Sequence, residues 1–301
     1  MNLFLSGFYA QMKDSNAFTV AVAGSFGRME AFKHSDLDFM IFTTGGLEAD
    51  SCYMIMRGIQ ECSKIFKTDL PDSNGVFGRM TPYDQLINRI GARDETIHDL
   101  AQRMLLLMEA RPLYNDEIYQ ETIGSVLSGY LRGMENNPSK EALFMLNDVI
   151  RYFRSVCVHY QPDFWRQRDQ WALHSVKLWH SRIIMYGGLL LAVLNASIKP
   201  DKVSYLHSII ALSPLERIVA IYQEASDPGY KKILKLYDYF LNRVQDDNFR
   251  EQLKISYEQH YSSIEYQEMK LNSLALTREL ARFVFGQSGR WTDQVMDYLI
   301  F

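Results

Sequence analysis

The sequence predicts an α+β chain: a small mixed-sheet domain followed by a large all-helical region. Three observations carry this. Two compact apolar runs, FTVAVAG at 18–24 and LDFMIFTT at 37–44, have strand length and stop at glycine. From about residue 82 onward, apolar residues recur every three or four positions over long stretches, the spacing of a buried helix face. No fixed-period repeat or low-complexity tract interrupts either pattern.

The elements follow in order. NLFLSGFYAQM reads as a short helix and FTVAVAG as a buried strand running into a turn. SFGRMEAF makes a helical turn or short helix, and HSDLDFMIFTTGG passes from polar text into a second strand. SCYMIMRGIQECSKIF has helical spacing. KTDLPDSNGVFG reads as a strand end and turns, with Pro71 and the Asn74-Gly75 pair. PYDQLINRI, ETIHDLAQRMLLLMEARPLY, NDEIYQETIGSVLSGYLRGM and EALFMLNDVIRYFRSVCVHYQ all read as helices, followed by WALHSVKLWHSRIIMYGGLLLAVLNA. LSPLERIVAIYQEA starts at Ser213-Pro214, a helix-start pair. YKKILKLYDYFLNRVQ and SYEQHYSSIEYQEMKLNSLALTRELARFVFG continue the helical text. The expected division is 1–112 for the α/β domain and 113–301 for the helical domain, with 113–198 and 199–301 as candidate subregions.

Composition narrows the class. With 301 residues, 47% of them hydrophobic, the chain can build one large core or two smaller ones. A net charge of -4 gives no global argument for tight nucleic-acid binding. Cys52, Cys62 and Cys157 are odd in number and widely spaced, so free thiols in a reducing cytoplasm are expected. The start lacks the basic region of a secretory signal, and the longest apolar stretch, IIMYGGLLLAVLNA, is short for a bilayer span. It reads as a buried helix, and no membrane partner is expected.

Residues 24–38 read GSFGRMEAFKHSDLD and carry the chemistry. Residues two apart on an extended chain share a face, so Asp36 and Asp38 can aim both carboxylates into one pocket. Their mutual repulsion calls for cations between them, and Mg²⁺ suits such hard oxygen ligands with phosphates completing its shell. Gly24 permits close backbone approach, and the Ser25 hydroxyl with adjacent amides at a helix start can hold a phosphate. Arg28 has two readings, neutralising phosphate or pairing with Glu30. Each fragment alone is common on ordinary turns, and the stretch lacks the lysine of the G-x-x-x-x-G-K-[ST] loop.

The run AVAGSFGRMEAFKHSDLDFMIF resembles the signature of the DNA-polymerase-beta-like nucleotidyltransferase superfamily: a GS turn, a short helix, then a DxD at the start of the next strand. Its G-S-F-G-R-x-E...S-D-L-D form is most similar to the bacterial nitrogen-regulator uridylyltransferases and allied nucleotidyltransferases. The resemblance implies that Gly24 and Ser25 hold the triphosphate and that Asp36 and Asp38 bind two Mg²⁺ ions, with Mn²⁺ as a substitute. It further implies a third metal-binding carboxylate that helps activate the acceptor hydroxyl. Asp72 is favoured, because DSNG reads as a tight turn that would expose it near the sheet edge; Asp69 is the alternative, and a structural turn role is open for both.

In the helical region, Asn147, Asp148, Arg151 and Arg154 recur at helical intervals, and Lys177 and Arg182 follow. An NDxxRYxR-like and a KLxxSR-like segment are similar to those of the same relatives. Arg151, Arg154, Lys177 and Arg182 are the expected triphosphate clamp; an ion network around Asp148 is the other reading. Trp165, Trp171 and Trp179 are expected in helix packing rather than base stacking. Glu109, Arg111 and Pro112 are similar to the E-x-R-x-L helix end of the uridylyltransferase relatives and are expected to join the two domains, with a cleft contact open to Arg111.

The function so implied is metal-dependent transfer of a nucleoside monophosphate from a nucleoside triphosphate such as ATP, with pyrophosphate release. The acceptor hydroxyl belongs to a protein by the regulator resemblance, with a small molecule or an RNA end as alternatives. The competing classes are a non-catalytic nucleotide-binding regulatory module and an antitoxin-like partner protein.

Overall fold

Strand β1 (Phe18–Val22) pairs antiparallel with β2 (Phe39–Thr43) from Phe18↔Thr43 to Val22↔Phe39. Both strands are buried at every position, as apolar runs covered on two faces must be. β3 (Met80–Pro82) lies parallel to β2, and β4 (Arg111–Tyr114) antiparallel to β1, giving a four-stranded mixed sheet in the order β3-β2-β1-β4. The chain is therefore α+β, with the sheet near its beginning and helices after it. The computed structural model describes residues 1–71, 75–132, 142–166, 171–255, 259 and 261–300, apart from the side chains of 159–166 and 300.

Two compact units divide the chain, Met1–Asn137 and Pro138–Phe301. In the first, α1 (Asn2–Tyr9) and α3 (Ala49–Phe66) cover one sheet face, where Leu5, Tyr9, Phe18, Val20, Phe39 and Ile55 form the core. The Tyr9 hydroxyl donates to the Ile55 carbonyl at 2.7 Å, so this buried phenol is satisfied. Helix α2 (Gly24–Gly27) is a single turn between β1 and β2, and α4 (Tyr83–Asn88) follows β3. Helix α5 (Ile97–Met108) opens on a reciprocal capping box between Thr96 and Asp99. Burial opposes ionisation of Asp99, but bonds from Thr96, Arg89 and Gln85 outweigh it and hold its pKa at about 2. That anchored start matters because α5 ends at Glu109, beside α2. Helix α6 (Asp116–Tyr130) packs on β1.

The text RPLY, expected as helix, is a strand. Pro112 cannot sit in a helix interior, and it fits β4, a sheet-edge strand. Residue 112, where the sequence places its boundary, thus lies inside a strand of the first unit.

In the second unit, α7 (Leu143–Arg166) is followed by α8 (Trp171–Lys177), a π-helical turn (Leu178–Arg182) and α9 (Ile183–Ala196). Helix α9 is buried along nearly its whole length, as its sequence requires, and the described helices contain none long and apolar enough to cross a membrane. α10 (Lys202–Ile210) and α11 (Pro214–Glu224) come next, α11 with the expected proline start and a Ser213–Glu216 capping box. α12 (Tyr230–Gln245), α13 (Asp247–Gln252), α14 (Ile264–Gly286) and α15 (Asp293–Ile300) complete it. Helix α14 starts at Ile264, where Ser263 caps it by accepting the Tyr266 amide, and residues 256–258 of the expected SYEQ start lie outside the described residues.

His180 sits in the π-helical turn with no exposed surface, stacked on Phe240 at 4.4 Å between ring centroids. Nδ1 lies 2.7 Å from the Val176 carbonyl oxygen and Nε2 lies 3.1 Å from Asn272 Oδ1. Both partners are acceptor oxygens, so a neutral ring, with its single N–H, donates to one of them, and only a protonated ring would donate to both. Burial outweighs these bonds and pushes the imidazole pKa from 6.5 down to about 4. The unfolded chain therefore binds the proton first as pH falls, so stability is full above pH 6.5 and drains toward pH 4. Urea melts at pH 7 and 4.5 should differ by about 2 to 3 kcal/mol more in wild type than in His180→Gln. Equal differences in the two proteins would show that His180 does not titrate this way.

Candidate functional site

The antiparallel register of β1 and β2 brings the two halves of the motif together. Beyond Val22↔Phe39 the ladder continues by one bond, from the Ala23 amide to the Asp38 carbonyl at 2.9 Å. The chain then turns away into α2, so Gly24 faces Asp38. Gly24 has φ of +60°, and a Cβ placed on it would lie 2.5 Å from Asp38 Oδ2. Only glycine can hold that conformation with a carboxylate so close.

The first turn of a helix has no internal acceptors for its amides. In α2 the Gly24 amide donates to Glu109 Oε1 at 3.0 Å. The Gly27 and Arg28 amides bond back to Ala23 and Gly24. Among the described residues the Ser25 and Phe26 amides and the Ser25 hydroxyl have no hydrogen-bond partner. Three donors next to a carboxylate suit a phosphate oxygen with a bridging cation.

Leu37 is buried between an exposed Asp36 and a half-buried Asp38, so the two carboxylates alternate with the core residue as an extended chain demands. Among the described residues Asp36 makes no ion pair. The Leu37 amide donates to the Asp69 carbonyl at 2.8 Å, which lays the Asp69 backbone beside the aspartate pair. Asp69 is exposed there, after the left-handed Lys67 that ends α3. Asp72 lies outside the described residues. Among those that are described, no group of three or more His, Cys, Asp or Glu side chains is placed to hold a metal ion. Mg²⁺ is commonly held by one or two carboxylates plus phosphate oxygens, and the pair with the open donors fits that chemistry.

Arg28 points elsewhere than the phosphate reading expects. Its side chain is almost fully buried, with Nε donating to Glu30 at 2.8 Å and Nη1 paired with Glu109. The Glu30 pairing is the alternative reading of the sequence. Glu109, expected as a join between domains, holds α2 within the first unit through Gly24 and Arg28.

The four basic residues expected as a clamp belong to the second unit. Arg151 pairs with Asp148 on α7 at 3.0 Å, and Arg154 is exposed one turn along. Phe153 of the same helix stacks on Tyr186 of α9 at 4.3 Å. Lys177 ends α8 and Arg182 ends the π-helical turn, both half-buried. Trp171 packs as expected, donating to the Ile255 carbonyl at 2.9 Å, whereas Trp179 is 43% exposed. Trp179 lines a cleft of about 250 Å³ with Met269 and Leu274, apolar and without carboxylates, which does not suit a metal-bound triphosphate.

No protein-family model matches the chain, and no curated protein matches it either.

Proposed function

We propose that the chain is a metal-dependent nucleotidyltransferase, moving a nucleoside monophosphate from a nucleoside triphosphate to an acceptor hydroxyl. The observation that carries this reading is the meeting of the Gly24-Ser25 turn with Asp38. It rests on the first unit alone, and the resemblance of the motif to the polymerase-beta-like superfamily agrees with it.

In this reading the Ser25 and Phe26 amides and the Ser25 hydroxyl bind phosphate oxygens and fix the triphosphate. Asp36 and Asp38 hold two Mg²⁺ ions, or Mn²⁺, and Asp69 or Asp72 adds the third carboxylate. The ions, when bound, neutralise the phosphates and align the attacking oxygen. The acceptor oxygen bonds to the α-phosphorus as its bond to the β-phosphate oxygen breaks, and pyrophosphate leaves. The hydroxyl proton passes to the third carboxylate. The protein's work is positioning and electrostatics. The proposed acceptor is a protein hydroxyl, and the proposed compartment is the cytoplasm, in keeping with three free cysteines.

The test supplies nucleoside triphosphates labelled on the α-phosphate, with Mg²⁺ and with protein, RNA and small-molecule fractions as separate acceptors. Label should move to the protein fraction with release of pyrophosphate, and chelation should stop it. Binding without transfer to any fraction would replace the enzyme with a nucleotide-sensing module.

A further inference from the structure

The buried charges around α2 raise a separate question. Arg28, Glu30 and Glu109 form a compact cluster of one cation and two carboxylates, with side-chain exposures of 7%, 10% and 0%. Burying such a group is costly unless every charge is compensated, so the cluster is by itself weak evidence of added stability. Its geometry shows what it holds. Glu109 Oε1 accepts the Gly24 amide, while Oε2 takes the Arg28 guanidinium. Its backbone carbonyl lies where a Cβ on Gly27 would stand. One residue, at the end of α5, therefore touches α2 at its first residue, at Gly27 and at Arg28.

We propose that Glu109 is a positioning residue for the nucleotide site: its carboxylate, anchored by Arg28 and through it by Glu30, holds the Gly24 amide so that the Ser25 and Phe26 amides stay presented beside Asp38. This rests on the proposed function for the identity of the ligand, but not for the clamp itself. Arg28 then acts on nucleotide through Glu109 rather than by touching phosphate. Glu30 keeps Arg28 paired when Glu109 is neutralised, so variants at Glu109 leave no buried orphan cation.

The experiment compares wild type, Glu109→Ala, Glu109→Gln and Leu105→Ala. Leu105 is a buried α5 residue that serves as a control for lost packing. Two quantities are read: amide hydrogen exchange of the 23–30 segment, and binding of a fluorescent ATP analogue with Mg²⁺. Glu109→Ala should speed exchange in 23–30 by about tenfold or more, as expected for losing a charge-assisted bond. It should weaken the analogue to a similar degree. Glu109→Gln, which keeps an acceptor for the Gly24 amide, should recover most of both. Leu105→Ala should lower the melting temperature without a selective change in either. If Glu109→Ala matches wild type in 23–30, or if Leu105→Ala changes the segment and the affinity as much, the positioning role is overturned. A wild-type protein that binds no analogue would defeat the nucleotide reading instead, and exchange in 23–30 would still decide the clamp.

Discussion

Asp38→Asn should abolish nucleotide transfer while leaving the first unit folded. The side chain lies against Gly24, and asparagine has nearly the same volume, so the turn keeps its packing. The backbone carbonyl that accepts the Ala23 amide is untouched. What is lost is a negative oxygen facing the proposed phosphate site. Charge stabilisation by a held metal ion is worth several kcal/mol in the transition state. At about 1.4 kcal/mol per factor of ten, the rate should fall roughly a thousandfold or more. Asp36→Asn should behave alike, and the double variant should lose little beyond either single one, because groups that act as a unit are not additive. The measurement is pyrophosphate release per unit time, with far-ultraviolet circular dichroism and a thermal melt on the same samples. Transfer at the wild-type rate by a folded Asp38→Asn protein would exclude this carboxylate from the chemistry.

The parts of this site that were legible in the sequence are local. Strand β1, the glycine turn and strand β2 are adjacent in the chain, and one antiparallel pairing brings Gly24 to Asp38. Apolar runs with glycine stops therefore predict the two strands, and the antiparallel register that makes them meet is supplied by the structure. The all-apolar run of α9, the apolar periodicity of α12 and the Ser213-Pro214 start of α11 are also local signals. The strands β3 and β4 were not legible, being three and four residues long and defined by partners far away in sequence. β4 was hidden in helical text until Pro112 is weighed as an edge residue. Helices α10 and α13 are short, and their caps Asp201 and Asp246 are the only advance notice. Glu109 was visible as a residue but not as a contact of Gly24, because the bond spans 85 positions. Arg28 illustrates the same limit: the sequence shows a cation beside a phosphate-like turn, and only the fold shows two carboxylates already claiming it.

The two glycines of GSFG should respond to alanine for different reasons, and Gly27 should be the worse of the two for stability. Gly24 needs its left-handed backbone and the space taken by Asp38, whose side chain can turn aside. Gly27 faces backbone on both sides. A Cβ there would overlap the Glu109 carbonyl oxygen and stand 2.8 Å from the Val22 carbonyl oxygen. Neither oxygen can rotate away, because one caps α5 and the other ends β1. Relief requires α2 to part from both, and overpacking of this kind costs about 1 to 3 kcal/mol for a single contact and more for two. Gly27→Ala should therefore lower stability by about 3 kcal/mol, a drop of roughly 10 °C in melting temperature for a unit of this size. Gly7 gives the opposite sign. It lies exposed within α1 with nothing within 4 Å of a built Cβ, so Gly7→Ala should raise stability by about 0.5 to 1 kcal/mol through helix propensity alone. Thermal melts of both variants decide the matter. A Gly27→Ala protein as stable as wild type would mean that α2 does not sit between the ends of β1 and α5, and with it would go the reason Gly24 is held beside Asp38.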